Sequence, residues 1–398
     1  IAELAKDETV EYAHPNYMIT LDPVMDGADL SAVAGMGFPC IPGIEIPGCD
    51  PNATLPCLID IPGVIQFPPG CGAPAVQDPA LVEAPAETIP PVVDPSMDQI
   101  YGVGKISAPS AWASGNVGNK KIIVAVIDTG VDYNHEDLAF NMWRNPTPSD
   151  KGDVVGFDFV HNDALPFDDQ SHGTHCSGTI GAVGGNGIGV SGVSQRVSIM
   201  GLKFLTAKGS GTLEDAIRAI EYAADHGVKV ISASWGGRAP ASETKGLADA
   251  INKAKDKGIL FVAAAGNEGK DNDKPDEASY PAALDNDNLL AVAATDDQDG
   301  MASFSNFGTK SVDVGAPGVK VYSTVPGNQY KAYSGTSMAC PHTAGAAALV
   351  WATNPSVDYK KVKEALMNSA DKVSSLVGKT VTGGRINVAK AIQYLQTH

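Results

Sequence analysis

The sequence has no long apolar run and few basic residues in its first quarter. A stretch such as AGAAALVWA is far shorter than the roughly 20 residues that a membrane-spanning helix needs, so we expect no membrane association. Residues 1–95 hold 14 Asp and Glu residues but a single basic residue, Lys6, within a chain of net charge −18. Because nucleic-acid binding depends on cationic surface, the composition also argues against a nucleic-acid partner.

What is present is enough for one large domain with an appendage. The chain has 398 residues, of which 43% are apolar and 19% charged, a composition typical of globular proteins. It begins at Ile1 without a methionine or a signal peptide, which indicates a processed or truncated form. We expect a monomer.

Residues 21–95 differ from the rest of the chain. They contain 15 of the 27 prolines and show no sustained period of 2 or 3.6, which predicts a segment built of loops. Four of the six cysteines fall here, namely Cys40, Cys49, Cys57 and Cys71. An even number in a short, loop-rich segment indicates two disulfides, with three pairings possible, and hence an extracellular location. A disordered linker is the alternative.

From about residue 96 the pattern changes to alternating strands and helices. Apolar runs in KIIVAVIDTG, VSIMGLKFL, KVISASWGG and ILFVAAAGN predict buried strands. Between them, residues 212–227 and 242–258 have helical spacing and end at Gly227 and Gly258; in the first, Leu213, Ile217, Ile220 and Ala224 are predicted to face the core. This alternation predicts a three-layer α/β domain over 96–398, with a mostly parallel sheet covered on both faces.

Three reactive side chains stand at strand ends or helix starts of that domain. Asp128 ends a strand pattern, whereas His172 and Ser337 each open an apolar helix pattern. A carboxylate, an imidazole and a hydroxyl are the components of a nucleophilic triad. A helix start also directs amide hydrogens toward developing negative charge, which favours Ser337 as the nucleophile. Taken singly, each residue is typical of a cap or a loop.

The motifs around these residues resemble those of the subtilisin-like serine proteases, the subtilases. VAVIDTGVD, HGTHCSGTI, AAAGNEG and GTSMACPH match four signature regions in the order Asp, His, Ser, and the resemblance covers about residues 98–396. YAADHGVKVIS and GRINVAKAIQY are similar to the thermitase branch. The resemblance implies Asp128, His172 and Ser337 as the triad and Asn267 as an oxyanion-hole donor.

The resemblance also implies where a peptide substrate binds. The pocket for the residue before the scissile bond would be lined by two segments without charge, which favours large uncharged side chains; Trp235, where leucine is frequent, would narrow or reshape it. A third segment would pair with extended substrate as an added strand. The three segments are Ser234, Trp235 and Gly236; Ala264, Ala265 and Gly266; and Gly209, Ser210 and Gly211.

The family's calcium loop corresponds to GGNGIGVSG, so the resemblance implies structural Ca²⁺. The implied ligands are Asp137, Asn186 and the main-chain oxygens of Ile188 and Val190, all hard oxygen donors. Asp158 and Asp163 resemble a second calcium loop, although His161 replaces an acid there. The glycines of this loop do not precede a helix, which argues against a dinucleotide site.

Two further patterns allow more than one interpretation. HGTHC offers His172, His175 and Cys176, but HxxH alone is weak evidence for zinc. Cys176 and Cys340 are expected to be buried free thiols, with a disulfide between them as the minor alternative.

The first 20 residues resemble the end of a subtilase pro-region. DETVEYAHPNY, residues 7–17, matches its closing strand and tail, so the chain's own pro-region is a possible partner of the cleft. An ordinary first strand of the domain is the alternative.

The sequence thus predicts a secreted, calcium-stabilised serine endopeptidase that acts on proteins or peptides. One alternative is a pseudoprotease that only binds peptides, against which the intact set of Asp128, His172, Asn267 and Ser337 argues. Another is an esterase of the α/β-hydrolase type. That class predicts G-x-S-x-G and the order Ser, Asp, His, whereas here the serine lies in Gly-Thr-Ser-Met-Ala and comes last.

Overall fold

A computed structural model describes residues 18–21, 38–39, 49–50, 93–240 and 243–398. The chain divides into two compact units, one of Ile1–Gly27 with Val93–His398 and one of Ala28–Val92. In the second unit, Phe38–Pro39 pairs in parallel with Cys49–Asp50. Cys40, Cys57 and Cys71 lie outside the described residues, as does the segment 7–17, so the disulfides and the closing strand of a pro-region stay predictions.

The described residues form fifteen strands and eight α-helices. The strands are β1 (Met18–Thr20), β2 (Phe38–Pro39), β3 (Cys49–Asp50), β4 (Gly118–Asp128), β5 (Gly156–Asp158), β6 (Arg196–Lys203), β7 (Ser210–Thr212), β8 (Val230–Ala233), β9 (Leu260–Ala264), β10 (Leu289–Thr295), β11 (Val314–Pro317), β12 (Val321–Val325), β13 (Gln329–Tyr333), β14 (Asp371–Lys372) and β15 (Gly384–Arg385). The helices are α1 (Tyr101–Lys105), α2 (Ala108–Ala113), α3 (His172–Gly181), α4 (Leu213–Asp225), α5 (Lys245–Asp256), α6 (Thr336–Thr353), α7 (Tyr359–Asn368) and α8 (Val388–Thr397). Two 3₁₀ turns cover Ala139–Asn141 and Ser374–Leu376.

One nine-stranded sheet organises the larger unit. Its strand order is β14-β15-β11-β10-β9-β8-β4-β6-β5, and every pair is parallel except β14 with β15. The four strands predicted from apolar runs are β4, β6, β8 and β9, which lie side by side at its centre. Helices cover both faces, so the predicted three-layer α/β fold is confirmed.

The two helices predicted from spacing are confirmed as α4 and α5. Thr212 caps α4 by accepting the Asp215 N–H, and Gly227 follows the helix at φ 71°. Its buried face carries Ala216, Ala219 and Ala223 beside Leu213 and Ile220. Ile217 and Ala224, which were predicted to face the core, are half-buried and pack against the same core cluster, at the edge of the face that the small alanines form.

The two faces of the sheet are covered differently. Helices α4 and α5 pack on one face and leave their polar sides in water. Helix α6 crosses the other face beside α3 and is buried from Thr336 to Trp351, which its many small residues permit. Among the described residues, no helix is both long enough and apolar enough to cross a membrane.

Candidate active site

The sheet and the two buried helices bring the three predicted reactive side chains to one place. Asp128 ends β4, His172 opens α3 and Ser337 is the second residue of α6. All three are buried, and α3 packs directly against α6. In a parallel sheet the carboxyl ends of the strands and the starts of the following helices meet at one edge, which is why residues so distant in sequence converge.

A short hydrogen bond joins Asp128 to His172. The Nδ1 of His172 donates to Oδ1 of Asp128 at 2.8 Å, and the Thr129 N–H donates to the same oxygen at 2.7 Å. Nε2 of His172 has no hydrogen-bond partner among the described residues. Burial alone would lower the pKa of His172, but the Asp128 carboxylate outweighs it and holds that pKa well above its usual value. The ring is therefore oriented with a free nitrogen to exchange a proton.

A second carboxylate, Asp168, fixes the surroundings of this pair and was missed by the sequence analysis. It is fully buried and accepts five hydrogen bonds of 2.6–2.9 Å from four residues, which are Thr129, Gln170, Ser171 and Thr174. Thr129 in turn accepts the Gly173 N–H at 2.9 Å. Asp168 thereby ties the end of β4 to the start of α3. Its position four residues before His172, in a turn-like DDQS stretch, was the available signal.

Pro341 explains how the start of α6 is attached. A proline inside a helix cannot donate to the carbonyl four residues earlier, which here belongs to Ser337. That carbonyl instead accepts the Ser234 hydroxyl at 2.9 Å and the Cys176 thiol at 3.4 Å. The Ser337 hydroxyl donates to the Ser234 carbonyl at 3.0 Å. Because it accepts no helical hydrogen bond, the Ser337 carbonyl can bind both Ser234 in the loop after β8 and Cys176 in α3.

Asn267 lies directly beside this helix start. Its Oδ1 accepts the Thr336 N–H at 2.8 Å and the Thr336 hydroxyl at 2.9 Å. Because Oδ1 is bound to Thr336, the NH₂ of the Asn267 amide points the other way. This NH₂ lies close to Gly335, since a Cβ atom added to that glycine would be 3.4 Å from Nδ2. The Ser337 N–H belongs to the first helical turn, where no acceptor exists within the helix. Two donors therefore stand near Ser337.

The two predicted pocket walls follow neighbouring strands. Residues 234–236 follow β8 and residues 264–266 end β9 and its loop, and the two strands pair in parallel. The Trp235 side chain is buried, with its Nε1 donating to the Ile127 carbonyl at 2.8 Å and its ring packed edge-on against Phe204. The expectation that Trp235 narrows or reshapes the pocket stays a prediction.

The third predicted segment, residues 209–211, is already paired in this chain. Strand β1 runs antiparallel to β7, with Met18 opposite Thr212 and Thr20 opposite Ser210, and the Leu21 N–H donates to the Gly209 carbonyl at 2.7 Å. Thr20 also forms an antiparallel bridge with Gly236. Residues 18–21 thus lie as an extended strand between the two segments predicted to hold substrate, outside the main sheet.

The loop predicted to bind calcium gathers two buried carboxylates. Asp137 accepts the Asn186 amide at 2.8 Å and the Val190 N–H at 2.9 Å. Asp94, which the sequence analysis missed, accepts the N–H groups of residues 185–187 at 2.9–3.0 Å. Burial raises the pKa of Asp137 to about 6, and the Asp94 charge adds to that shift. Two buried acids and an amide on one loop fit a hard cation, and the Ile188 N–H bond to Asn186 Oδ1 keeps the loop tight.

The other predicted metal positions are occupied by local contacts. Asp158 pairs with the His161 ring at 2.8 Å and accepts two backbone N–H groups, while Asp163 caps the Leu165 N–H at 2.8 Å. These contacts use both oxygens of Asp158, as those of Asn186 and Val190 use both oxygens of Asp137, so the second calcium site stays a prediction.

The HGTHC histidines and the core cysteines also have defined environments. Nε2 of His175 lies against the Val321 and Lys331 carbonyls, and burial lowers the pKa of this ring to about 3. Cys176 and Cys340 are buried free thiols, which confirms that prediction. The Cys176 sulfur lies 3.9 Å from the His172 nitrogen that already serves Asp128, so this cluster needs no metal to explain it.

Comparison with known proteins agrees with this site. The model of the subtilase family matches residues 119–385. Thermitase from Thermoactinomyces vulgaris is 44% identical over 295 residues, which are 74% of this chain and 96% of thermitase. A thermophilic serine proteinase from Bacillus sp. (strain AK1) is 41% identical, with 74% of this chain and 67% of that protein covered. Subtilisin DY from Bacillus licheniformis is 39% identical, with 74% and 98% covered.

These matches span all three reactive side chains and both pocket walls. They also remove the α/β-hydrolase alternative, since that class has a different order of catalytic residues. The chain belongs to the subtilase family of serine endopeptidases.

Proposed function

We propose that Ser337 is the nucleophile of this endopeptidase, His172 its general base and acid, and Asp128 the group that orients His172. The observation that carries the assignment is the buried 2.8 Å bond from His172 Nδ1 to Asp128, which leaves Nε2 without a partner among the described residues. Helix α3 packs against α6, and Cys176 contacts both the His172 ring and the Ser337 carbonyl. The Ser337 hydroxyl is bonded to the Ser234 carbonyl in this structure, and it turns to Nε2 when substrate binds.

The reaction proceeds in two acyl-transfer steps. Ser337 Oγ attacks the carbonyl carbon of the scissile bond while its proton passes to Nε2 of His172, and Asp128 stabilises the imidazolium. His172 then gives that proton to the leaving amine as the carbon–nitrogen bond breaks. A water molecule hydrolyses the resulting ester by the same route, returning its proton through His172 to Ser337.

Asn267 and the backbone N–H of Ser337 stabilise the tetrahedral intermediate. Its oxygen becomes negatively charged only as the carbonyl is attacked, so the two donors act mainly on the transition state. The hydrogen bonds from Thr336 to Oδ1 of Asn267 fix the amide in the orientation that this role needs.

Substrate binds as an extended strand between residues 209–211 and residues 234–236. The support is β1 of this same chain, which lies as an extended strand between these two segments. Its Ile19 side chain is buried in the core cluster that contains Leu213 and Trp235. The residue before the scissile bond enters the slot between residues 234–236 and 264–266, whose walls carry no charge. Large uncharged side chains are therefore preferred, and folded proteins or peptides that offer an extended segment are the substrate class.

Residues 1–20 are the remnant of a pro-region whose end blocks the cleft, and the chain cuts itself nearby, within roughly residues 17–25. Pairing of β1 with the substrate edge, rather than with the nine-stranded sheet, supports this over an ordinary first strand. The remaining proline-rich segment then stays attached to the mature enzyme.

The test compares wild-type protein with Ser337→Ala after incubation under active conditions. Wild type should lose its first residues with time and hydrolyse an added peptide, while Ser337→Ala should keep Ile1, keep its circular dichroism spectrum and lose hydrolysis. If the intact masses stay identical although only wild type cleaves the peptide, self-processing is refuted but the peptidase activity is not. Peptide binding without cleavage by wild type would instead indicate the pseudoprotease.

Calcium would stabilise the loop of residues 186–190. Asp94, Asp137 and Asn186 would hold it together with the main-chain oxygens of Ile188 and Val190, and a cation there would supply the positive charge that two neighbouring buried carboxylates require. We also propose an extracellular location, because the cysteine cluster predicts two disulfides among Cys40, Cys49, Cys57 and Cys71. We expect the protein to be a monomer.

A further inference from the structure

A lysine is buried at the end of β6. Of the lysines that the structure describes, only Lys203 is buried, and 1% of its side chain is exposed. Its ammonium donates three hydrogen bonds of 2.7 Å, which go to the main-chain carbonyls of Thr129 and Leu205 and to Oδ1 of Asp169. A charge is costly to bury, and an apolar side chain of similar size would avoid that cost. Stability alone therefore does not explain a lysine at this position.

Two of the three partners lie in the segments that carry the triad. Thr129 follows Asp128 and binds its Oδ1 through the backbone N–H at 2.7 Å. Asp169 lies three residues before His172, in the segment that leads into α3. The lysine itself stands opposite Asp128 in the pairing of β4 with β6. The ammonium therefore joins the end of β4 to the chain just before the catalytic histidine.

The third partner lies in the segment that leads to residues 209–211, the proposed substrate edge. Leu205 comes four residues before this edge. Its N–H donates to the Asp128 carbonyl at 3.2 Å, and the Thr206 N–H donates to the Ser210 carbonyl at 2.9 Å. The substrate edge is thus one hydrogen-bonded turn away from the triad aspartate, and the ammonium holds the start of that turn.

We propose that Lys203 is a positioning residue that couples the substrate edge to the triad, a role that rests on the proposed function. A peptide that pairs with the edge contacts the segment after β6. The three bonds of the ammonium keep this segment in register with Asp128 and His172. Binding energy from the remote part of the substrate is thereby used at the scissile bond, where it raises kcat and does not only lower KM.

The experiment compares two acetylated peptide amides that have Phe before the scissile bond and the same leaving group. One has no further residue before Phe, and the other is extended there by three alanines, so only the longer peptide has backbone to pair with the substrate edge. In wild type the extension should raise kcat and lower KM. In Lys203→Met the extension should still lower KM, but the ratio of kcat for the long peptide to kcat for the short one should fall about tenfold.

Lys363→Met is the matched control. Lys363 also donates to two main-chain carbonyls, those of Asp287 and Leu289, but lies outside the proposed site. Its replacement should lower Tm without changing the kcat ratio, since a loss of folded protein reduces kcat for both peptides equally. If Lys203→Met does not fold, Asp169→Asn takes its place, and the ratio should then fall about threefold because one charged partner of the ammonium is lost.

Three results would overturn the inference. They are an extension that leaves kcat of wild type unchanged, a kcat ratio within about twofold of wild type in the Lys203 or Asp169 variant, and an equal fall of the ratio in the Lys363 control. Each of them leaves cleavage of the peptides by wild type intact, and with it the proposed protease. Failure of wild type to cleave either peptide would count against the proposed function instead.

Discussion

Two Asp–His pairs in this molecule have the same 2.8 Å separation and very different surroundings. In the Asp128–His172 pair the side chains are 0% and 1% exposed, and the partners are 44 residues apart in sequence. In the Asp158–His161 pair the histidine is 60% exposed and lies three residues from its aspartate. The distance between the two groups therefore says little about function.

The surroundings separate the two pairs. Asp158 binds the N–H groups of Val160 and His161, so its pair is one contact within a local turn. His172 lies where three elements meet, and Cys176 on the next turn of α3 contacts both its ring and the Ser337 carbonyl. The buried pair is assembled from distant segments and leaves one ring nitrogen without a partner among the described residues, whereas the exposed pair lies within one turn.

Removing the carboxylate from each pair should give the largest contrast. Asp128→Asn is expected to lower kcat by about 10⁴, because the amide no longer fixes the His172 tautomer or stabilises the imidazolium. Asp158→Asn should change kcat less than about threefold. Steady-state kinetics on one peptide substrate measures both, and comparable losses in the two variants would show that the Asp128 pair has no special role.

The oxyanion donor gives the next largest effect. Asn267→Ala should lower kcat by about 10²–10³ with little change in KM, since its bond strengthens only as charge develops on the substrate oxygen. The same kinetic assay, with thermal melting to confirm folding, tests this. A loss confined to KM would assign Asn267 to ground-state binding.

Calcium removal should affect stability and not chemistry. A site saturated a hundredfold above its Kd stabilises the fold by about 2.7 kcal/mol, so chelation should lower Tm by several degrees. Asp137→Asn should already melt lower and respond little to chelator, whereas Asp158→Asn should respond like wild type. A chelator response that vanishes in Asp158→Asn would move the site to that loop.

The pH profile should show the smallest but most specific difference. His172 acts as a base only when neutral, and its pKa is raised by Asp128, so kcat/KM should fall about tenfold per pH unit below a midpoint above 6.5. The midpoint should move down in Asp128→Asn and stay in Asp158→Asn. The raised pKa of His172 also stabilises the fold. This contribution is complete below pH 6.5 and is lost as the pH rises through the folded-state pKa of His172. A wild-type midpoint below 6.5 contradicts the assignment.

The sequence was most informative where a motif restricts residue type over several positions. The four motifs located Asp128, His172, Asn267 and Ser337, and the apolar runs located the central strands. It missed Asp94 and Asp168, because a single acid in a loop carries no pattern until the fold brings its donors together. It left the direction of the Trp235 side chain open, since the resemblance names a segment and not the side to which each residue of that segment points.

The central claim is that Ser337 is activated by His172, and covalent labelling tests it most directly. A serine-directed phosphonate should inactivate wild-type protein and add one adduct to the peptide that contains Ser337, as mass spectrometry after proteolysis would show. His172→Ala should label far more slowly, and Asp158→Asn at the wild-type rate. Equal labelling of Ser337 in wild type and His172→Ala, or inactivation with the adduct on another residue, would contradict the account.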